Sequence, residues 1–159
     1  MNIVLNMDDI STRNIFIGNN IRNNIINNGS FYKIKYSNSD IILNNLMILL
    51  NISDCSFMQN YNRYRCIFKN KNKDNVDIID KISALEKKIL SMFECNKYPQ
   101  YNIGPALRSG VFNIGYYPRN DETMCLKISG IWENEDEYGL TYKFVIISKN
   151  PIELPVGCI

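Results

Sequence analysis

Histidine is absent from all 159 residues. That removes the Ser-His-Asp triad, the Cys-His dyad, the imidazole general base and every histidine-containing zinc site. Glycine is sparse at 8 residues, and Gly104-Pro105 and Gly110 build neither a P-loop nor a dinucleotide fingerprint. Long apolar runs are missing too. The longest, Leu46 to Leu50, is far too short to span a bilayer. Met1 to Ile10 lacks both a basic n-region and an apolar h-region, so no signal peptide is expected. The five cysteines, at 55, 66, 95, 125 and 158, are odd in number and never spaced C-x-x-C. Scattered reduced thiols are expected rather than a disulfide scaffold or a zinc site. The setting expected is intracellular and reducing, with no membrane, metal or cofactor.

What the chain has in excess is 24 Asn and 25 Ile, both residues of AT-rich codons, so the bias reflects base composition before function. The length suits one domain, 1–159, with a core large enough to need no staples. Residues 1–30 read as an Asn-rich extension or extra strands, in which Ile and Phe interleave with Asn. Asn27-Asn28-Gly29-Ser30 is a turn signal. Residues 148–159, broken by Pro151 and Pro155, read as irregular.

Between these ends the hydrophobic period alternates between two and 3.6. Tyr32, Ile34 and Tyr36 oppose Lys33 and Lys35, which marks a half-buried strand. Ile41 to Ile52 reads as a core strand bent at Asn44-Asn45. Tyr64, Cys66 and Phe68 alternate with Arg63, Arg65 and Lys69, so this strand has a basic outward side and Tyr64 and Phe68 point inward. From Asp74 to Phe93 the apolar residues recur every three or four, which predicts a helix over about 74–94, capped by Asp74 or Asn75. A loop with Pro99 and Pro105 follows, then strands around Val111–Tyr116, Met124–Gly130 and Leu140–Ile147. The last two form a hairpin over the acidic turn Glu133-Asn134-Glu135-Asp136-Glu137. The class expected is mainly β with one inserted helix.

A net charge of +2 conceals an asymmetry, because residues 1–73 carry nine Lys/Arg against four Asp/Glu and residues 74–159 carry nine against twelve. The cations of the first half sit among aromatics: Lys33, Lys35, Arg63, Arg65 and Lys69 beside Tyr32, Tyr36, Tyr61, Tyr64 and Phe68. Single-stranded nucleic acid requires that combination, since cations neutralise phosphates and flat rings stack on unpaired bases. The plainer alternative is that the rings are core and the cations only solvate the surface. The acidic run could hold a hard cation, as a two-metal nuclease would need, but it has no calcium-loop spacing and reads as a solvated turn. Trp132, the single tryptophan, is either a stacking platform or a core anchor at a barrel corner.

The most distinctive text is Leu126-Lys127-Ile128-Ser129-Gly130-Ile131-Trp132-Glu133 followed by Tyr138-Gly139-Leu140-Thr141-Tyr142-Lys143-Phe144. It resembles the C-terminal part of the single-stranded-DNA-binding proteins of nucleocytoplasmic large DNA viruses. Those are similar to the replicative single-stranded-DNA-binding proteins of certain tailed phages. The resemblance extends over roughly residues 30 to 147. It implies an OB-fold, a Greek-key barrel of about five strands with one inserted helix, which binds DNA across one face and is not an enzyme.

On this footing Lys33, Lys35, Arg63, Arg65, Lys69, Lys127 and Lys143 are the expected phosphate contacts, and Tyr36, Tyr61, Tyr116 and Trp132 the expected stacking residues. The partner implied is single-stranded DNA, in viral replication, recombination or repair, in the host cytoplasm or nucleus. RNA, viral replication proteins and a second copy of the chain are further candidates. Phage members end in a long acidic tail that recruits partners. Here Pro151 to Ile159 holds one acid and no aromatic, so the resemblance does not extend to that role. The alternative from a different class is a non-enzymatic protein-interaction scaffold. Clustered cations would favour DNA, and dispersed ones the scaffold.

Overall fold

The computed structural model describes residues 3–23 and 29–148. The turn signal at Asn27-Asn28 and the segment from 149 onward, with Cys158, lie outside these residues. The chain is mainly β, with one curled half-barrel sheet and one main helix, an arrangement consistent with an OB-like barrel. The strands are cut more finely than five. They are β1 (Ile15–Asn23), β2 (Gly29–Ser37), β3 (Ile42–Leu43), β4 (Leu46–Leu49), β5 (Ser56–Asn60), β6 (Arg63–Ile67), β7 (Tyr98–Gln100), β8 (Val111–Ile114), β9 (Glu122–Glu133) and β10 (Glu137–Ser148).

The seven-stranded sheet runs β1-β2-β9-β10-β7, with β3 on β2 and β4 on β9. Strand β9 is its spine. One edge pairs with β10 along its whole length, and the other takes β4 at residues 125–128 and then β2 at 130–133. The change of partner coincides with a bulge: Gly130 faces Thr141 and Ile128 faces Tyr142, leaving Ser129 as the extra residue. A bulge bends its strand and raises the local twist, which is what a sheet curling through a half-barrel needs. The three-stranded sheet β5-β6-β8 packs against the larger one through Phe112 and Phe144, whose rings stack with centroids 4.2 Å apart.

Helix α1 (Lys73–Ser91) falls where the period of 3.6 begins and ends. Its Ile79, Ile82, Leu85, Ile89 and Leu90 join Ile34, Leu46, Ile48, Leu126, Ile128 and Ile131 of the sheet in one core. Burial of each such side chain contributes about 1.5–3 kcal/mol. The cap differs from the expectation. Asn72 accepts from the Asp74 amide at 3.0 Å. Asn75 is fully buried and ties the β4–β5 loop to the β6–α1 loop, accepting from the Ser53 amide and donating to the Ser53 and Lys69 carbonyls.

The expected loop after α1 contains a second helix, α2 (Ile103–Arg108). Pro105 is no obstacle because it lies in the first turn, where no helical hydrogen bond is required of its nitrogen. The Glu86 carboxylate of α1, 1% exposed, reaches this turn and accepts from the amides of Asn102 (2.7 Å), Ile103 (2.9 Å) and Gly104 (3.0 Å). No helix among the described residues is long and apolar enough to cross a membrane.

Candidate nucleic-acid interface

Strand parity fixes which side chains share the convex face of the large sheet. Residues paired across an antiparallel ladder project to the same side. Ile34, 0% exposed, and Tyr36 face inward, so Lys33 and Lys35 face outward, and both are exposed. Lys35 pairs with Phe16, Lys33 with Gly130 and Phe31 with Trp132. Trp132 in turn pairs with Gly139 of β10. The convex face therefore carries Phe16, Phe31, Lys33, Lys35 and Trp132 around two glycines.

Those glycines account for the most distinctive motif in the sequence. A side chain at Gly130 would overlap the Phe31 ring and the Tyr32 carbonyl. One at Gly139 would lie 2.8 Å from Cζ2 of the Trp132 indole. Both rings thus rest on bare backbone, and the Trp132 position is a ring lying on the sheet rather than a core anchor. Phe16 projects further, at 54% exposure.

Across the bulge the same face carries Lys127 and Lys143. They are direct cross-strand partners, Lys143 exposed and Lys127 half-buried. Beyond them the face closes, since Met47 and Cys125 are buried. At about 3.3 Å per residue, the Lys127 rung and the Lys33–Gly130 rung lie about 7–10 Å apart.

Arg63 and Arg65 occupy the exposed side of the small sheet, with Met58 opposite Arg65 on one neighbour and Asn113 on the other. Tyr64 turns inward, as the alternation predicted, and its ring packs against Tyr117 at 4.8 Å. An open depression of about 370 Å³ joins the two sheets. Its walls include Val111 and Asn113 of β8, on the arginine side, and Lys143 and Phe144 of β10, of which Lys143 faces the lysine side and Phe144 the core.

The other expected residues divide. Tyr61 stands at the tip of the β5–β6 hairpin, 90% exposed, with a left-handed φ of 55°. Lys69 is exposed, but on the loop leading into α1. Tyr116, 44% exposed, lies on the loop between β8 and β9 rather than on the convex face. Its hydroxyl donates to Glu122 at 3.2 Å, and local desolvation with that carboxylate holds the phenol above its ordinary pKa. A carboxylate beside the ring makes it a poor neighbour for phosphate.

Tyr36 is a correction. It is 2% exposed, and its hydroxyl lies between the Ser11 amide (3.4 Å) and the Asp9 carbonyl (3.5 Å), so the ring is core and cannot stack on a base. Phe16 and Phe31 were missed. Phe31 shares parity with Lys33 and Lys35, so the alternation alone marks it as outward; Phe16 has no such local signal.

None of Lys33, Lys35, Arg63, Arg65, Lys69, Lys127 and Lys143 forms an ion pair among the described residues. Lys81, Lys97 and Arg108 do, with Asp8 and Asp77, Glu133, and Asp80 respectively. The acidic turn is organised by Asn134, whose side chain accepts from the Asp136 and Glu137 amides at 2.9 and 2.8 Å. Among the described residues no three carboxylates or thiols converge as metal ligands would. No family model, curated protein or solved structure matches this chain.

Proposed function

We propose that the protein binds single-stranded DNA without strong sequence preference, by phosphate neutralisation and aromatic stacking, as part of viral DNA replication, recombination or repair. The observation that supports this most is the convex face itself. It sets Phe16, Phe31 and Trp132 among Lys33, Lys35, Lys127 and Lys143, and none of these cations has a carboxylate partner among the described residues. Unneutralised lysines gain most from an arriving phosphate, because no existing ion pair has to be broken. Rings that lie partly open on the sheet give bases a surface to stack on without reading their edges. The depression between β8 and β10 extends the same path toward Arg65. The viral setting rests on the sequence resemblance alone.

A protein-binding scaffold is the second reading, favoured by a different observation. Strand β1 is an edge of the large sheet, and Phe16 and Ile21 on it are exposed at 54% and 45%. An open apolar edge suits pairing with an added strand.

Titration with oligo-dT over a salt series separates the two. Trp132 is the only tryptophan, so its emission reports directly on the face in question. Binding should quench it, and log K should fall with log[salt] with a slope of about −3 for four phosphate contacts. Absence of binding at low salt, or binding with no salt slope, would overturn the nucleic-acid reading.

A further inference from the structure

We infer that Cys55 and Cys66 form an oxidisable thiol pair, in which a peroxide-class oxidant converts Cys55 to a sulfenic acid that Cys66 closes to a disulfide. Strand pairing brings them together. Phe57 on β5 faces Cys66 on β6, and Cys55, two residues before Phe57, projects to the same side. The two are diagonal neighbours across the β5–β6 pair and pack into the same core, where the Cys55 thiol donates to the Ile52 carbonyl at 3.3 Å.

Their surroundings divide the roles. Cys55 is half-buried and lies one residue outside the strand, next to Asp54 with its left-handed φ of 57°. Its backbone is therefore not fixed by the ladder and is free to make the approach a disulfide requires, from the wider spacing of diagonal neighbours. Cys66 is 0% exposed, so solvent oxidant reaches Cys55 first. The neighbouring Cys66 thiol lowers the pKa of Cys55, while Cys55 and burial together hold Cys66 protonated. A partly exposed, lowered thiol beside a second sulfur is the arrangement found at redox-sensitive sites. Cys125 is the contrast: it is fully buried, and desolvation pushes its thiol up to about 11.

The chemistry balances without a cofactor. The Cys55 thiolate sulfur attacks one peroxide oxygen, an S–O bond forms, the O–O bond breaks, and the departing hydroxide takes a proton to leave as water. Two electrons pass from sulfur to the peroxide. Cys66 sulfur then attacks the Cys55 sulfur, the S–S bond forms, and the S–O bond breaks. The second hydroxide leaves as water with the Cys66 proton. The sum is two thiols and one hydrogen peroxide giving one disulfide and two waters. The product would tie the start of β5 to the middle of β6, between Arg65 and Ile67.

The test uses the full chain, reduced and desalted, with hydrogen peroxide as the probe and non-reducing peptide mapping as the readout. Trypsin cuts after Arg63 and Arg65, which separates the two cysteines, so a Cys55–Cys66 link is seen as two peptides joined with a mass about 2 Da below their sum. This link should be the first product and should vanish on adding dithiothreitol. In Cys66→Ala, dimedone should label Cys55. In the unmodified protein at neutral pH, Cys55 should react with iodoacetamide at least about tenfold faster than Cys125, as its lowered and more exposed thiol requires. Prior oxidation of Cys95, or equal alkylation of Cys55 and Cys125, would overturn the proposal. The alkylation comparison needs no variant, and neither readout depends on DNA binding.

Discussion

The indole of Trp132 occupies the space in which a side chain on Gly139 would begin, with Cζ2 only 2.8 Å from that position. The two residues are cross-strand partners at the end of the β9–β10 hairpin. Gly139→Ala must therefore lift the ring or spread the strands. The expected cost is about 1–3 kcal/mol of stability, typical of overpacking. The Trp132 emission maximum should move, and oligo-dT affinity should fall. Chemical denaturation and fluorescence titration on one variant measure all three. An unshifted spectrum would mean that the ring does not rest on Gly139.

Lys127 and Lys143 give effects of opposite sign on stability and on binding. Like charges directly opposite on a ladder repel. Lys143→Glu should therefore stabilise the free protein by a few tenths of a kcal/mol to about 1 kcal/mol. The same change should weaken oligo-dT binding and reduce the magnitude of the salt slope by at least about 0.7, one phosphate contact. Thermal melting and salt-dependent titration check the two halves. A parallel loss of stability and binding would place Lys143 in the structure rather than on the DNA path.

Arg63→Ala with Arg65→Ala should leave the melting temperature within about 2 °C of the parent, because exposed substitutions away from the core stay within about 0.5 kcal/mol. If the path through the depression between β8 and β10 reaches the small sheet, the salt slope should fall in magnitude by about 1.4. An unchanged slope would confine DNA to the lysine face.

Glu86→Gln tests the joint between the helices. Three amides converge on this buried carboxylate. An amide side chain offers one acceptor oxygen and turns an NH₂ group toward the remaining donors. Hydrogen bonds to a charged group contribute about 1.5–3 kcal/mol each, so a loss of about 2–4 kcal/mol is expected. It should appear as a lower urea midpoint with an unchanged m-value. Oligo-dT affinity, measured where the variant is folded, should not change.

Much of this architecture was readable from residue order, and the exceptions share a cause. The α1 stripe, the bend at Asn44-Asn45, the outward Lys33 and Lys35 and the inward Tyr64 all follow from local period. So did the hairpin at the acidic turn. Tyr36 shows where local reading ends. Its alternation with Lys35 already placed it inside, yet a phenol in the core needs polar company, and that comes from Asp9 and Ser11, more than twenty residues away. Asp74 or Asn75 was expected to cap α1, while Asn75 instead holds Ser53, on a loop 22 residues away that only the tertiary fold brings near. Helix α2 was invisible because six residues are too few to show a period, and its first turn depends on Glu86 from another helix.

The candidate face divides the same way. Lys33, Lys35, Arg63 and Arg65 were found by parity within single strands, whereas the contacts of Phe31 with Gly130 and of Trp132 with Gly139 are relations between strands. The glycines stood out in the sequence as a motif, but their reason appears only when rings are laid over them.

Strand β9 borders β2, β4 and β10 and contributes Leu126, Ile128 and Ile131 to the core. A strand held on both edges and one face has no way to open by itself. Its amides between Met124 and Trp132 should exchange with solvent only when the whole domain unfolds, while those of edge strand β1 exchange through local fraying. The motor of any slow breathing in this protein is thus its rim, and the strip that bears Trp132 and Lys127 is its still axis.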